Sequence, residues 1–342
     1  MTTPSPRIAG QPIHSEVDFD APGKHVGYLR LPHSVHRSAY GWLPIPVASI
    51  RNGEGPTVVV LGGNHGDEYE GQIIVSRLIR EVEPAMLTGQ LILLPMANFP
   101  AAEAGQRTSP IDGGNLNRSF PGDPAGNPTE AIAHYIEHTL LARSQLVVDL
   151  HAGGSSLQYD GTNLMAAEPR DDAERERIFG LIRAFGLQRA LLRAVPNPVT
   201  ISAAARRQGS YSFLAELGGA GTVSAPILRE AWQGVRNLLA HAGVLHGPLV
   251  PAAGAPRQTR FMRIDGERHH VYAHDPGVFE PLAELGDTVQ AGRPAARIHF
   301  PEAPGRAPVE IAFQAAGQVI CRRVPALVRR GDCLFQLASD RV

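Results

Sequence analysis

An α/β protein built on a doubly wound mixed sheet, followed by a smaller all-β domain, is predicted by three features of this 342-residue sequence. Residues 57 to 98 read as apolar strand, amphipathic helix and apolar strand, a β-α-β unit. Two more apolar runs, "QLVVDLH" and "FLAEL", alternate with helical patterns. Beyond the Pro/Gly/Ala-rich "HGPLVPAAGAPRQ", short β-like runs separated by turn residues take over.

In chain order, "HVGYLRLP" and "WLPIPVASI" alternate with turns and form a β-rich entry over residues 1 to 56. "TVVVLGG" is the first buried strand. "EGQIIVSRLIREVEP" places Ile73, Ile74, Leu78, Ile79 and Val82 at helical spacing, and "QLILLPMAN" returns as a strand. Residues 99 to 128 read as a long irregular segment, a kind that is usually functional in a compact domain. A helix "TEAIAHYIEHTLLAR", the strand "QLVVDLH", an amphipathic helix "DDAERERIFGLIRAFGL", the β-like "GSYSFLAELGG" and a helix through "ILREAWQGVRNLLAHAGV" complete the first domain, residues 1 to 248. Residues 249 to 342 form the second, a barrel-like or sandwich-like β domain. Its "LGDTVQAGRPAARI" resembles the hairpins of lipoyl and biotinyl carriers, but the only lysine in the chain is Lys24, so a swinging-arm role is ruled out.

A net charge of −1 provides no field to gather nucleic acid or an anionic membrane. The start lacks an apolar core behind a basic end, and nowhere do about 18 apolar residues follow one another. The expectation is a soluble, cytoplasmic protein, with no nucleic-acid or membrane partner and with a homo-oligomer left open. Cys321 and Cys333 are too few for a disulfide framework and read as buried free thiols.

His-x-x-Glu occurs three times, at His65/Glu68, His134/Glu137 and His299/Glu302. His65 and Glu68 follow the end of an apolar strand, where open α/β sheets place their ligands, and Gly62, Gly63 and Gly66 allow tight turning there. "HYIEH" at 134 to 138 matches an inverted zinc-protease pattern, yet no third ligand is evident and a solvated helix face explains it. For His65 and Glu68 a third ligand is available, because "LVVDLHAGG" ends a second strand with His151. Asp149, two residues earlier, projects to the same side and can orient that imidazole. Two histidines and a carboxylate, with a fourth position open, make a catalytic zinc set; Mn²⁺, Co²⁺ and Fe²⁺ suit it too.

Glu216 ends an apolar run before two glycines and can serve as a base, or equally as an exposed or capping residue. Arg107 and Arg118 in the long segment can fork onto a carboxylate or an oxyanion, or can simply be solvated. No G-x-S-x-G elbow, P-loop or strand-borne G-x-G-x-x-G is present, and neither cysteine sits in a promising loop for a nucleophile.

"GGNHGDEYEG", "DGGNLNRSFPG", "VVDLHAGG" and "AELGG", in that order, resemble the succinylglutamate desuccinylase and aspartoacylase family, relatives of the zinc carboxypeptidases. The resemblance covers most of the chain. Through "VDFD" and "RTSPIDGGNLNRSFPG" it is greatest to the family's N-alpha-acetyl-L-2,4-diaminobutyrate deacetylase branch. It implies a zinc-carboxypeptidase-like sheet and one Zn²⁺ per chain on His65, Glu68 and His151. It further implies Glu216 as the base, Asn117 and Arg118 holding the substrate carboxylate, and Arg107 polarising the scissile carbonyl. The C-terminal domain is then expected to narrow the entrance. Residues 155 to 215 depart from that branch, and pocket selectivity is expected to depend on the loops there. The implied activity is hydrolysis of a small N-acyl amino acid. A carboxypeptidase acting on short peptides and a non-catalytic metal or small-ligand binding protein are the alternatives.

Overall fold

The computed structural model describes residues 12–187, 189–193, 197–247 and 259–340. Among them the strands form a mixed sheet of 14 strands and a second sheet of four. At the centre of the large sheet Gly89–Leu94, Thr57–Gly62, Leu146–His151 and Tyr211–Gly219 lie side by side and parallel. Trp42–Asn52 and Gly23–Pro32 extend one side antiparallel, which is the β-rich entry. On the other side Leu157–Ala167 runs antiparallel to Tyr211–Gly219 and parallel to Arg189–Arg193.

The continuous apolar runs of the central strands are explained by burial on both faces. Val58 and Val60 pack into one core with the helices Tyr69–Glu81, Asp172–Phe185 and Ala225–His241. Val59 and Leu61 pack into the other with Pro128–Tyr135 and Ile201–Arg207. Each such side chain is fully buried, worth about 1.5–3 kcal/mol relative to exposure. Local signals set the helix ends: Asp171 accepts from the N–H of Glu174, and Gly186 closes that helix at φ 91°.

Three sequence expectations change. The segment 99 to 128 is not irregular throughout, since Phe99–Ala104 is helical and Leu116–Arg118 forms a 3-10 turn. Asp112 fastens it, accepting from Gly114 N–H at 3.0 Å and from Thr129 N–H at 2.8 Å. The helix expected over 129 to 143 is α only over Pro128–Tyr135, then widens to a π turn over Ile136–Leu140 and tightens at Leu141–Arg143. Where loops were expected between 155 and 215, the strand Leu157–Ala167 and the helix Ile201–Arg207 are present; the strand exists because Tyr211–Gly219 offers it an edge.

The segment that suggested a domain boundary, 248 to 258, lies outside the described residues. Residues 259–340 form strands and one 3-10 turn, Glu267–His269. Four of these strands make the small sheet, whereas Arg260–Arg263 and Gly317–Arg323 join the large one, pairing with Arg189–Arg193 and Leu157–Ala167. Cys321 is buried and Cys333 half-buried, both free. Among the described residues no helix is long and apolar enough to cross a membrane.

Candidate metal centre and active-site cavity

His151 ends one parallel strand, and His65 and Glu68 lie just beyond the C-terminal end of its neighbour Thr57–Gly62, where the sheet leaves room for a ligand. Gly63 takes φ +67°, and a Cβ on Gly66 would meet Ala101 C at 2.0 Å, so the turn carrying His65 requires glycine at both positions. One nitrogen from each imidazole and one carboxylate oxygen all lie within 4.8 Å of one another, and all three side chains are buried. Glu68 bridges the pair: Oε1 is 2.7 Å from His65 Nδ1, and Oε2 is 2.7 Å from His151 Nδ1.

The far side of each ring is engaged as well. His65 Nε2 lies 3.2 Å from Asn115 Oδ1, and His151 Nε2 lies 2.6 Å from Asp149 Oδ2, which also accepts from Asn64 Nδ2 at 3.1 Å. With a proton on Nε2 facing those acceptors, each Nδ1 would turn its lone pair inward to a cation, the arrangement of a metal-binding histidine. Two such nitrogens and a carboxylate suit a divalent cation of the zinc type. Burial pushes the Glu68 carboxyl up, but His151 and His65 outweigh it and hold it well below the usual carboxylate range. Burial likewise lowers His151, and there Asp149 and Glu68 prevail, raising it. His65 is lowered, with burial the dominant cause.

A cavity of about 300 Å³ opens on this cluster, lined among others by Arg107, Asn117, Arg118, Tyr159, Arg193 and Glu216. Glu216 is partly buried, its Oε2 has no hydrogen-bond partner, and its pKa is raised to about 8. Burial is the main cause; Glu68 adds to it, while His151, Arg193 and Arg107 oppose. Arg107 reaches inward, its Nη1 3.4 Å from Glu68 Oε1. Asn117 is buried; Ile201 N–H fixes its Oδ1 at 3.0 Å, which turns its Nδ2 to within 3.2 Å of His151 Nε2. Arg118 donates from Nη1 to Asn117 O at 2.8 Å. Partial desolvation lowers the Arg118 pKa, and the positive charges of Arg107 and Arg193 lower it further.

All the site residues expected from sequence thus face one cavity, except Asp149, which stands behind His151. Sequence reasoning missed Asn64, Asn115, Tyr159 and Arg193. Arg193 ends the strand Arg189–Arg193, the same strand-end context that drew attention to Glu216, and that signal was there to be used. Among the described residues the C-terminal strands do not line the cavity: the lining runs from His65 to Glu216, and Gly317–Arg323 backs the wall by pairing Cys321 with Tyr159. The other His-x-x-Glu pairs are occupied elsewhere. Glu137 is not part of a solvated face but is buried against Arg207, with Nε–Oε1 at 2.8 Å and Nη2–Oε2 at 2.7 Å. His299 Nε2 sits 2.7 Å from Glu280 Oε2.

Residues 54–242 match the family model described as the succinylglutamate desuccinylase/aspartoacylase catalytic domain. The chain is 39% identical over 331 residues to the N-alpha-acetyl-L-2,4-diaminobutyric acid deacetylase of Halomonas elongata, covering 96% of this chain and 95% of that one. It superposes on the product-bound ectoine utilization protein EutE from Ruegeria pomeroyi with a TM-score of 0.90, at 37% identity over 96% of this chain and 99% of that chain. It superposes on a succinylglutamate desuccinylase/aspartoacylase from Rhodobacter sphaeroides with a TM-score of 0.91, at 36% identity over 97% of this chain and 100% of that chain. The motifs, the sheet and the His–Glu–His cluster agree with these likenesses, and the chain belongs to the succinylglutamate desuccinylase/aspartoacylase family.

Proposed function

We propose that the chain is a zinc-dependent amidohydrolase that removes a small acyl group, acetyl foremost, from an N-acyl amino acid such as N-alpha-acetyl-L-2,4-diaminobutyrate, releasing a carboxylic acid and the free amino acid. The observation that carries this reading is a His65–Glu68–His151 donor set and a Glu216 carboxyl, its Oε2 without a hydrogen-bond partner, facing one cavity. The Halomonas relative, a diaminobutyric acid deacetylase by name, supports the substrate class.

His65, Glu68 and His151 would hold a divalent cation, which would supply the Lewis acidity that activates a water and polarises the amide carbonyl. The protein's own groups do the rest. Glu216 accepts the proton of the attacking water and delivers it to the leaving nitrogen. Arg118, with Asn117 beside it, holds the substrate carboxylate, and Arg107 faces the oxygen on which negative charge develops. Holding the carboxylate fixes the amide against the water, which is why a free carboxylate is required of the substrate.

The zinc-carboxypeptidase-like winding belongs to the same proposal, as does the division into a catalytic domain, residues 1 to 248, and a C-terminal β domain, residues 249 to 342. Helices on both sheet faces and the separate four-stranded sheet support it. A cavity of about 300 Å³ suits a small acyl amino acid better than a peptide. The test is a panel of N-acyl amino acids and short peptides on zinc-loaded protein. Turnover of N-acetyl amino acids is expected; hydrolysis of peptides alone favours a carboxypeptidase, and inertness towards the whole panel favours a binding protein.

A further inference from the structure

Two acids flanking Glu68 have no part in this chemistry. Asp67 is buried, and its Oδ2 accepts from both the backbone N–H and the hydroxyl of Ser155, each at 2.8 Å. Glu70 is wholly buried, and its Oε1 accepts from Ser224 N–H at 3.1 Å. Both acids follow the strand Thr57–Gly62, in the segment that supplies His65 and Glu68. Ser155 lies in the loop after Leu146–His151, and Ser224 in the loop after Tyr211–Gly219. Each acid therefore reaches from the segment bearing two metal ligands to a different partner loop: Asp67 to the one beside His151, Glu70 to the one beside Glu216.

The contact at Asp67 is close. Gly154 takes φ +56°, and a Cβ there would lie 2.7 Å from Asp67 Oδ2, so the backbone of the His151 loop rests against the carboxylate. The two partner loops are themselves joined by backbone bonds, Gly153 N–H to Gly218 O at 3.1 Å and Gly221 N–H to Gly154 O at 2.8 Å. Each acid keeps one buried oxygen without a hydrogen-bond partner, a cost that a mere filler residue would not carry. A short buried side chain that accepts from a partner loop's backbone N–H ties the two segments at a fixed spacing, which suits a joint that must not drift.

We propose that Asp67 and Glu70 are positioning residues, two side-chain clasps that set the distances from His65 and Glu68 to His151 and from the metal ligands to Glu216. This rests on the reading of His65, Glu68 and His151 as the metal set. The two clasps have separable consequences. Loss of Asp67 loosens the ligand set and weakens metal binding; loss of Glu70 moves the base and lowers turnover with the metal still held.

The test uses the full-length protein, with Zn²⁺ affinity from chelator competition, kcat and KM on an N-acetyl amino acid, and the melting temperature of the metal-free form. Asp67→Ala is expected to weaken Zn²⁺ by roughly 10- to 100-fold, the range for losing an outer partner of a metal site, with Asp67→Asn restoring most of it. Glu70→Ala is expected to lower kcat by roughly tenfold (about 1.4 kcal/mol on the barrier) at unchanged Zn²⁺ affinity, with Glu70→Gln restoring it. Wild-type values in both alanine variants overturn the proposal. So do equal damage in the alanine and amide variants, and losses matched by a fall in metal-free melting temperature. Should Asp67→Ala not fold, Ser155→Ala removes one of the two bonds and is expected to weaken Zn²⁺ severalfold; wild-type affinity there also overturns the clasp. His65→Ala is the control, because retained zinc binding in it defeats the ligand assignment itself, whatever Asp67 does.

Discussion

Glu216 is paired in register with His151 across the adjacent parallel strands Tyr211–Gly219 and Leu146–His151. Neighbours in such a register direct their side chains to the same face of the sheet. Glu216 and His151, the proposed base and metal ligand, therefore share a cavity by strand pairing alone, with no loop closure needed. Glu216→Gln keeps the shape and removes the proton acceptor, so kcat is expected to fall by roughly 10²–10⁴-fold while Zn²⁺ affinity stays within a few-fold. A steady-state assay with a chelator titration reads both, and an unchanged kcat would remove Glu216 from the base role.

Asp149 orients the His151 ring from behind at 2.6 Å. Asp149→Ala is expected to cost roughly 10–100-fold in Zn²⁺ affinity. Adding Zn²⁺ at about 1,000 times its Kd should stabilise the wild type by about 4 kcal/mol, seen as a higher melting temperature that a chelator reverses. His65→Ala should abolish that rise.

Arg118 is held in place by its bond to Asn117 O. Removing a charged hydrogen-bond partner costs about 1.5–3 kcal/mol, so Arg118→Ala is expected to lower kcat/KM for carboxylate substrates by roughly 10- to 150-fold. Amide-capped analogues, already poor, should barely change. Equal kcat/KM for wild type and variant on the free acid would dismiss the clamp.

Arg193 lines the cavity, and its positive charge acts on both Glu216 and Arg118. It repels a cationic substrate side chain and attracts an anionic one. A partly screened charge at short range is worth about 1 kcal/mol or more, so Arg193→Ala is expected to shift the kcat/KM ratio roughly 5-fold towards N-acetyl-diaminobutyrate over N-acetyl-glutamate. An unmoved ratio would place Arg193 outside substrate selection.

Glu137 is buried and bonded twice by Arg207. Burial pushes its carboxyl up, but the Arg207 hydrogen bonds and charge outweigh it, and the folded pKa lies below the ordinary value. The stability it contributes is therefore full above the unfolded carboxylate pKa and is lost as pH falls through the folded one. Arg207 is partly exposed, so the pair is discounted: Glu137→Ala is expected to cost about 1–3 kcal/mol at pH 7 and to flatten the acid limb of a urea-melt pH series. An unchanged acid limb would mean that the pair does not contribute to acid sensitivity.

The metal cluster was legible in the sequence because each ligand sits where an apolar strand ends, and burial on both faces forces that apolar pattern. Strand-end context pointed to His65, Glu68 and His151 and left Glu216 open, the family resemblance selected Glu216, and the parallel register brings all four together. Asn117 and Arg118 came from a resemblance, since nothing in a loop's own sequence says where it folds back. The strand Leu157–Ala167 was not read, because a strand made by a neighbour's free edge leaves weak periodicity of its own, and Asn64, beside the ligand motif, shows its role only through its contact with Asp149.

By itself the sequence determined the α/β character of the chain, its two-faced central strands and the candidate metal-binding set His65, Glu68 and His151, all consequences of local patterning. Only the tertiary structure decided that Glu137 turns inward to Arg207, that residues 259–340 back the cavity instead of lining it, and that Asp67 and Glu70 reach across to Ser155 and Ser224. These depend on contacts between residues 70 to 166 positions apart in the chain, which no short window of sequence contains.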